Sequence, residues 1–224
     1  MPLANFQERL LELPLFQGMS RNDLNQVVAH TKFGFLKFSR SKTVVSEGDA
    51  CQHIYFLMSG KLKVEGRSDD GSYTVEEELA APNVLQPERI FGWSQRFTRT
   101  FTTATSCNMA RIDKSQVLEL TAKFEIFRLN LLNIVSTQTQ RLSHQPWRHQ
   151  PSGIRQKIAR FAEQHCLYPA GKKILHIKME TLAQDIHESR LNLSRELNSM
   201  HEEGLIRLSR GKIEIPALEN LITL

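Results

Sequence analysis

The chain has 224 residues, a formal net charge of +5, 40% hydrophobic residues and 24% charged residues. This ordinary globular balance excludes wholesale disorder and allows one large domain or two small domains with real cores. A basic chain is compatible with a polyanionic partner, although charge alone does not identify one.

The three cysteines, Cys51, Cys107 and Cys166, are far apart and form no CxxC pair. This arrangement argues against a disulfide framework and against a zinc or iron–sulfur site of the usual spacing. The first residues, MPLANFQERLLELPLF, include acidic side chains and lack the basic segment and apolar core of a signal peptide. No apolar run is long enough to span a bilayer. We therefore expect a soluble, reduced, cytoplasmic protein without a metal ion or a membrane partner.

The first predicted elements are helices. Apolar residues from Phe6 to Leu15 precede a turn at Gly18. Ser20 then has the character of a helix N-cap, with Asp23 three residues later in a near capping box. A second short helix should follow this cap.

From about residue 32 the sequence predicts strands. Short runs rich in Val, Ile, Phe and Tyr alternate with Gly, Asp and Ser, as in VVSEGD, HIYFLMSG, KLKVEG, SYTVEEEL and NMARID. Asp70-Gly71 lies between two such runs and predicts a hairpin with a type I′ turn, which needs positive φ at both central residues. Several short strands at this spacing predict an antiparallel barrel or jelly roll.

A long helical pattern begins near Lys114 and ends before Pro146, which cannot continue a helix. Apolar residues recur along it at spacings of three and four, with a polar reverse side. One interpretation is a helix packed on its own barrel. The other, which we favour, is a dimer seam, because the stripe is longer than one small barrel can cover.

Residues 143–153, SHQPWRHQPSG, have the composition of a linker. Pro151-Ser152 then resembles an N-cap that opens a further helix. Beyond it the sequence predicts a short helix in 176–186, a second helix in 189–203 and a hairpin in 205–216 with Gly211 at its turn. Two helices joined by a tight turn and followed by a two-stranded wing form the winged helix-turn-helix order.

The second of these helices has two chemically different sides. Leu193, Leu197 and Met200 share one side, and the other side carries uncharged polar groups and arginines. One interpretation is an ordinary amphipathic helix with a solvated face. The interpretation that we favour is a helix that enters a DNA major groove, while basic residues of the wing contact phosphates. The candidate DNA-binding residues are Ser189, Arg190, Leu191, Asn192, Ser194, Arg195, Asn198, Arg210 and Lys212.

The order of these parts resembles the Crp/Fnr transcription regulators over nearly the whole chain. SEGDACQHIYFLMSGKLKV (46–64) resembles the family's early β-roll, and IFGW (90–93) resembles the start of its phosphate-binding cassette. ESRLNLSREL (188–197) is similar to the recognition-helix signature SRETVSR, and MHEEGLI (200–206) to the exit from that helix.

The resemblance implies an α+β chain with two domains. Residues 1–145 would form a cyclic-nucleotide-binding-like antiparallel β-roll sensor with a long dimerisation helix (about 114–145), and residues 146–224 a winged helix-turn-helix domain. It implies a homodimer that reads palindromic double-stranded DNA, an effector in the β-roll, and RNA polymerase as downstream partner.

The recognition helix departs from the family signature. Leu191 and Asn192 replace Glu-Thr, and leucine cannot accept a hydrogen bond from cytosine N4 as glutamate does. His187 occupies a position where a turn glycine is common, so we expect a positive φ there.

The sensor departs further from the family pattern. Trp93 replaces the glutamate that holds the ribose hydroxyl, although Arg99-Thr100 could supply the cassette's Arg-Thr pair. Both the existence and the identity of an effector are left open, and cyclic AMP bound in the usual way is not expected. The candidate pocket residues are Arg89, Gly92, Trp93, Arg96, Arg99, Thr100, Gln140 and Arg141.

Two other functions have less support. A nucleotide-sensing module that controls a protein partner would not need the terminal winged helix. A metal-dependent enzyme on a β-roll needs clustered ligands, and the histidines of the sensor region, His30 and His53, are not clustered in the sequence. No catalytic residue is therefore predicted.

Overall fold

The structure is a computed structural model that describes residues 3–222. Residues 1, 2, 223 and 224, which end the two predicted domains, lie outside the described residues. The chain divides into two compact bodies. The N-terminal body comprises residues up to 62, 79–98 and 102–148, and the C-terminal body comprises 63–78, 99–101 and residues from 149 onward.

The helices and strands are largely segregated along the chain, as in other α+β folds. The helices are α1 (Leu3–Glu12), α2 (Arg21–His30), α3 (Lys114–Lys123), α4 (Glu125–His144), α5 (Ile154–Gln164), α6 (Met179–Asp185), α7 (Arg190–Glu202) and α8 (Leu218–Ile222). The strands are β1 (Gly34–Phe38), β2 (Thr43–Val45), β3 (His53–Ser59), β4 (Lys61–Arg67), β5 (Thr74–Ala80), β6 (Asn83–Leu85), β7 (Thr100–Thr103), β8 (Cys107–Asp113), β9 (Lys173–His176), β10 (Arg207–Ser209) and β11 (Lys212–Ile215).

The N-terminal body is built around an antiparallel sheet with the order β1-β8-β3-β6. Phe16, in the turn after α1, is buried and its ring lies 5.4 Å from that of Phe56 on β3 and 5.3 Å from that of Phe127 on α4. Ser20 caps α2 by accepting a hydrogen bond from the Asp23 amide, as predicted. The aromatic contacts thus join the first helices to the sheet and to α4.

The predicted hairpin at Asp70-Gly71 is confirmed, but its type I′ turn is wrong. Gly71 has φ +70°, whereas Asp70 is not among the described residues with positive φ. The loop is longer than two residues. The Gly71 amide donates to the Ser68 carbonyl, and the Asp70 carboxylate accepts from the Ser72 amide and the Ser68 hydroxyl. The hydrogen bond from the Ser72 amide, followed by the one from the Ser68 hydroxyl, lowers the pKa of the Asp70 carboxyl to about 2.

The single helix predicted from Lys114 to 145 is wrong at its start. The chain forms α3 and then α4, because Phe124 between them has extended backbone angles (φ −118°, ψ 107°). Phe124 is buried, so its side chain keeps the apolar spacing across the break. Periodicity alone could not distinguish this arrangement from one continuous helix.

The C-terminal body contains the predicted winged helix-turn-helix. Helices α5, α6 and α7 pack around a core that includes Ile158, Leu182 and Leu197, and β10 and β11 form the wing. Its sheet has the order β10-β11-β9-β5-β4. The N-cap of α5 is Gly153 rather than the predicted Ser152, whose amide and hydroxyl instead donate to the Gln156 side chain. The predicted fold class is confirmed.

Within residues 3–222, none of the helices has the length and apolarity that crossing a bilayer requires. In the same range, His, Cys, Asp and Glu side chains form no group of three that could hold a metal ion.

Candidate nucleic-acid interface

Helix α7 is seated by one apolar side. Leu193, Leu197 and Met200 are fully buried in the core of the C-terminal body, as predicted. Ser189 has extended backbone angles, and its hydroxyl accepts a hydrogen bond from the Asn192 amide at 3.1 Å. Ser189 is therefore the N-cap of α7, which fixes where the helix begins and occupies its hydroxyl.

The turn before α7 is built by His187. Its φ is +52°, as predicted from its place where a glycine is common. Its amide donates to the Gln184 carbonyl, and the Glu188 amide donates to the Ala183 carbonyl. The backbone therefore reverses tightly between α6 and α7 without a glycine.

The opposite side of α7 is open to solvent. Leu191 is 60% exposed although it is a large apolar residue, and Arg195 is also exposed. In the described part of the chain Arg195 forms no ion pair, so its guanidinium is available to an external partner. The other polar residues predicted for this side, Arg190, Asn192 and Asn198, are exposed, and Ser194 is half-buried.

The sequence reasoning missed a tether that holds α7 from behind. Arg155 on α5 donates to Glu196 at 3.0 Å and makes a bidentate pair with Glu203 at 2.8 Å for each bond. These hydrogen bonds raise the pKa of Arg155, and the one to Glu203 lowers the pKa of that carboxyl. The two contacts join Arg155 to residues 41 and 48 positions away, so no local sequence pattern could reveal them.

Two further ion pairs organise the approach to α7. Lys157 on α5 contacts Glu188 in the turn at 2.7 Å. Arg190 contacts Glu180 on α6 at 3.1 Å, and both side chains are mostly exposed. The Arg190 pair is a surface contact of small energy, which a phosphate or a base could replace.

The wing carries cations around one carboxylate. Glu214 contacts Lys172 at 2.8 Å, Arg207 at 3.6 Å and Lys212 at 3.7 Å. The hydrogen bond from Lys172 is the main reason that the pKa of Glu214 is lowered. Arg210 is exposed beside Gly211, whose φ of +68° forms the turn. The wing tip thus presents Arg210, with Lys212 held partly by Glu214.

The predicted effector residues are divided between the two bodies. Arg99 and Thr100 belong to the C-terminal body, and the other six belong to the N-terminal body. Their positions differ as follows: Trp93 is fully exposed beside exposed Gly92, Arg96 donates to the Gly48 carbonyl, Arg99 donates to the His165 carbonyl, Gln140 is exposed on α4, and Arg141 is half-buried there. A fully exposed Trp93 side chain does not line a cavity in this structure.

An ion pair that the sequence reasoning missed joins Arg89 to its neighbour Glu88, and the two side chains are 37% and 12% exposed. The carboxylate of Glu88 faces the Arg89 guanidinium, with 3.7 Å between Oε1 and Nε. Burial raises the pKa of Glu88. Among the described residues, Glu88 Oε2 and Arg89 Nε are buried and have no hydrogen-bond partner. Buried polar atoms without partners are uncommon, so this pair merits a functional explanation.

Helix α4 exposes an apolar stripe. Leu129, Leu132, Val135 and Leu142 are 43%, 53%, 39% and 64% exposed. Their spacings of three and seven place them along one side of the helix. An exposed contiguous apolar surface of this kind is typical of a protein interface.

Two family models match the chain. A cyclic nucleotide-binding domain model matches residues 35–124, and a Crp-like helix-turn-helix domain model matches residues 156–224. Among similar proteins, a CRP-like cAMP-activated global transcriptional regulator of Mycobacterium tuberculosis is 24% identical over 221 residues, which are 96% of this chain and 97% of that protein. The potassium channel SKOR of Arabidopsis thaliana is 31% identical over 121 residues. That match covers 52% of this chain but only 13% of the channel.

Solved structures share the fold. The Thermus thermophilus catabolite activator protein aligns with a TM-score of 0.50 and 19% identity, covering 94% of this chain and 98% of that one. The sensor domain of the transcriptional regulator DNR from Pseudomonas aeruginosa aligns with a TM-score of 0.52 and 20% identity, covering 62% of this chain and 93% of that one. The match to the M. tuberculosis regulator spans nearly the whole chain, and the two family models match its N-terminal and C-terminal parts.

Proposed function

The chain belongs to the Crp/Fnr family of transcription regulators, and from this premise we propose that it binds palindromic DNA as a homodimer through α7. The observation that carries this proposal is the division of α7 into two faces. One face is sealed into the core by Leu193, Leu197 and Met200, and the other leaves Arg195 exposed and unpaired among the described residues. A second copy seated on the exposed stripe of α4 would supply the two-fold symmetry.

Each candidate residue has a role that follows from its surroundings. Arg195 donates to guanine O6 and N7, the commonest specific contact in a major groove. Leu191 packs on a thymine methyl, because an exposed apolar side chain at the tip of the helix has no other favourable partner there. The remaining residues contact bases or phosphates around these two: Ser189 through its backbone, with Arg190, Asn192, Ser194, Asn198, Arg210 and Lys212 through their side chains.

The sensor is proposed to respond to an effector other than cyclic AMP held in the usual way. The relative in M. tuberculosis is described as cAMP-activated. In this chain, a tryptophan with an exposed side chain stands where the resemblance expects the ribose-binding glutamate. The ion pair of Glu88 and Arg89 is the better candidate for contact with a polar effector, because each residue has one buried polar atom without a hydrogen-bond partner among the described residues.

RNA polymerase is proposed as the downstream partner on the strength of the family alone. The alternative, a sensor module that controls another protein, has the partial match to a channel in its favour. It leaves the exposed face of α7 without a role.

Selection from random-sequence DNA tests the proposal directly. The expected result is enrichment of a two-fold symmetric site whose half-sites are about 10–10.5 base pairs apart, or a multiple of that spacing. Failure to enrich any symmetric sequence, with and without cell extract to supply an effector, would contradict the proposal. Binding of a protein partner in the same extract would then favour the alternative.

Thermal denaturation with added cyclic AMP tests the sensor. A ligand that binds only the folded state increases the free energy of unfolding, by about 2.7 kcal/mol when its concentration is one hundred times its Kd. The midpoint of thermal unfolding rises as a result. We expect no shift with micromolar cyclic AMP. A clear shift would show that the pocket holds the nucleotide without the glutamate.

A further inference from the structure

The hairpin of β4 and β5 belongs by sequence to the cyclic nucleotide-binding match, yet it completes the C-terminal body. Strand β5 pairs antiparallel with β9, with Thr74 opposite His176, Val75 opposite Leu175 and Glu77 opposite Lys173. Val75 is buried in the same core cluster as Leu175. A strand of the sensor sequence is therefore hydrogen-bonded into the sheet of the DNA-binding body.

The pairing is fastened by a buried ion pair. The side chains of Glu77 and Lys173 are 3% and 2% exposed, with 3.2 Å between the carboxylate and the ammonium. The same carboxylate accepts hydrogen bonds from the Leu167 amide at 2.7 Å and the Tyr168 amide at 3.2 Å. Lys173 also donates to the Ala170 carbonyl. Removing one partner of such a network leaves the other charge buried without compensation, which is strongly unfavourable.

The hairpin also contacts the end of α5. The Tyr73 hydroxyl lies 2.9 Å from His165 Nε2, and its ring packs on Phe161 with 5.3 Å between centroids. His165 follows the last residue of α5, whereas Arg155, which tethers α7, is the second residue of the same helix. The hairpin therefore holds one end of the helix whose other end positions α7.

We propose that this docked hairpin is a coupling element of the regulator: it favours the arrangement of the C-terminal body that binds DNA, and the pair of Glu77 and Lys173 is its latch. Glu77 is a positioning residue, since it touches no predicted DNA contact and acts through β9, the loop 167–172 and α5. An effector that moved the hairpin would change DNA affinity without touching α7. This inference rests on the proposed function.

Glu77→Gln in the full-length protein tests the latch. Gln keeps the size of the side chain but removes the charge that Lys173 needs. We expect the Kd for the selected palindrome to rise roughly 10-fold, within the usual range of coupling between sites. The dependence of binding on salt should not change, because no phosphate contact is lost. Glu65→Gln is the matched control, since Glu65 lies on β4 of the same hairpin and pairs with Lys63 rather than with β9. It should bind within about two-fold of wild type.

A reversible cross-link separates coupling from loss of folding. Thr74 and His176 are directly opposite, so their Cα atoms lie about 4.5–5.5 Å apart, a separation that a disulfide spans. In Thr74→Cys/His176→Cys/Glu77→Gln, oxidation should restore the wild-type Kd and reduction should abolish the restoration. The native cysteines are buried and should not compete. Should Glu77→Gln prove too unstable, Lys173→Gln removes the other charge of the pair while the Leu167 and Tyr168 amides keep Glu77 as their acceptor, and it should raise the Kd in the same way.

Stoichiometric titration with DNA gives the fraction of competent protein in each sample. The proposal requires this fraction to stay at the wild-type value while the Kd rises. An unchanged Kd in Glu77→Gln, a lower competent fraction at constant Kd, or a cross-link that does not restore affinity would overturn it. Absence of DNA binding by the wild-type protein itself would overturn both the proposed function and this inference.

Discussion

Arg195→Ala and Lys212→Ala should weaken DNA binding in different ways. Arg195 is exposed and has no ion pair among the described residues, so binding a guanine breaks no contact within the protein. At the low end of the usual range, one bidentate contact contributes about 1–1.5 kcal/mol to the binding free energy. A two-fold symmetric dimer makes this contact twice. The loss on the selected site is therefore about 2–3 kcal/mol, or roughly 30- to 150-fold in Kd.

Lys212 should behave as a phosphate contact. Its ammonium lies 3.7 Å from Glu214, an ion pair too long to hold it against a phosphate. Loss of one phosphate contact in each subunit should reduce the slope of log K against log salt concentration by about 1.8, because each contact contributes about 0.9. The affinity for selected and random sequences should fall by the same factor.

Fluorescence anisotropy at four salt concentrations, with selected and random duplexes, measures both quantities. Arg40→Ala removes the same charge from an exposed turn of the N-terminal body and controls for net charge. If Arg195→Ala weakened selected and random DNA equally and lowered the salt slope, Arg195 would be a phosphate contact and its assignment to a guanine would be wrong.

Three further predictions concern the seat of α7, the stripe of α4 and the response to acid. Leu197→Ala removes a fully buried side chain and should cost about 2–5 kcal/mol of stability, whereas Leu191→Ala should leave the unfolding midpoint unchanged and weaken only DNA binding; equal midpoint losses on thermal melting would refute the two-faced helix. Leu142→Glu should shift the sedimentation equilibrium toward monomer without lowering the helical circular dichroism signal, because Leu142 is exposed on α4; a dimer of wild-type strength would remove the stripe from the interface. The hydrogen bond from Arg155 lowers the pKa of Glu203 in the folded state, so the ionised carboxyl stabilises the fold above its unfolded pKa of about 4.3, and this stabilisation is lost as the pH falls through the lower folded pKa. The free energy of unfolding, measured from pH 6 to 3, should therefore fall less steeply in Glu203→Gln than in wild type. Identical pH dependence in the two proteins would contradict this prediction.

Local patterns predicted the helix-turn-helix well because its signals are local. Ser189 caps α7 through a bond to a residue three positions away, and His187 takes the positive φ that its place in the turn requires. Leu193 and Leu197 are four residues apart on one face, so their burial follows from helical periodicity. In each case the cause lies within one turn of the chain.

The errors and omissions have physical reasons as well. At Phe124, burial continues the apolar spacing through a residue that is not helical, so the pattern gave no sign of the break. At the start of α5, Gly153 is the N-cap, although serine at the preceding position is the commoner capping residue. The Ser152 hydroxyl donates to the Gln156 side chain instead of capping the helix. The Arg155 tether and the Glu77 latch join residues 41 to 96 positions apart. Only the folded chain brings such charges together.

Helix α5 is the element through which the C-terminal body can be both stable and responsive. It has 11 residues, so it is about 16 Å long. The hairpin contacts its last turn through Phe161 and His165, and α7 is tethered to its first turn through Arg155. Because a short, well-packed helix moves as a unit, a change at one end shifts the other without unfolding the core between them.

The kinds of contact at the two ends of α5 suit this role. Apolar contacts alone would hold α5 in one position. Ion pairs and strand hydrogen bonds can be replaced by hydrogen bonds to water or to another strand, at a moderate cost in free energy. A ligand shifts such an equilibrium only by its differential affinity for the two states, typically worth a few kcal/mol. A few hydrogen bonds at Glu77 and Arg155 are of that size. Under this proposal, a sensor that differs from the family pattern at Trp93 would still act on α7 through the same contacts of α5.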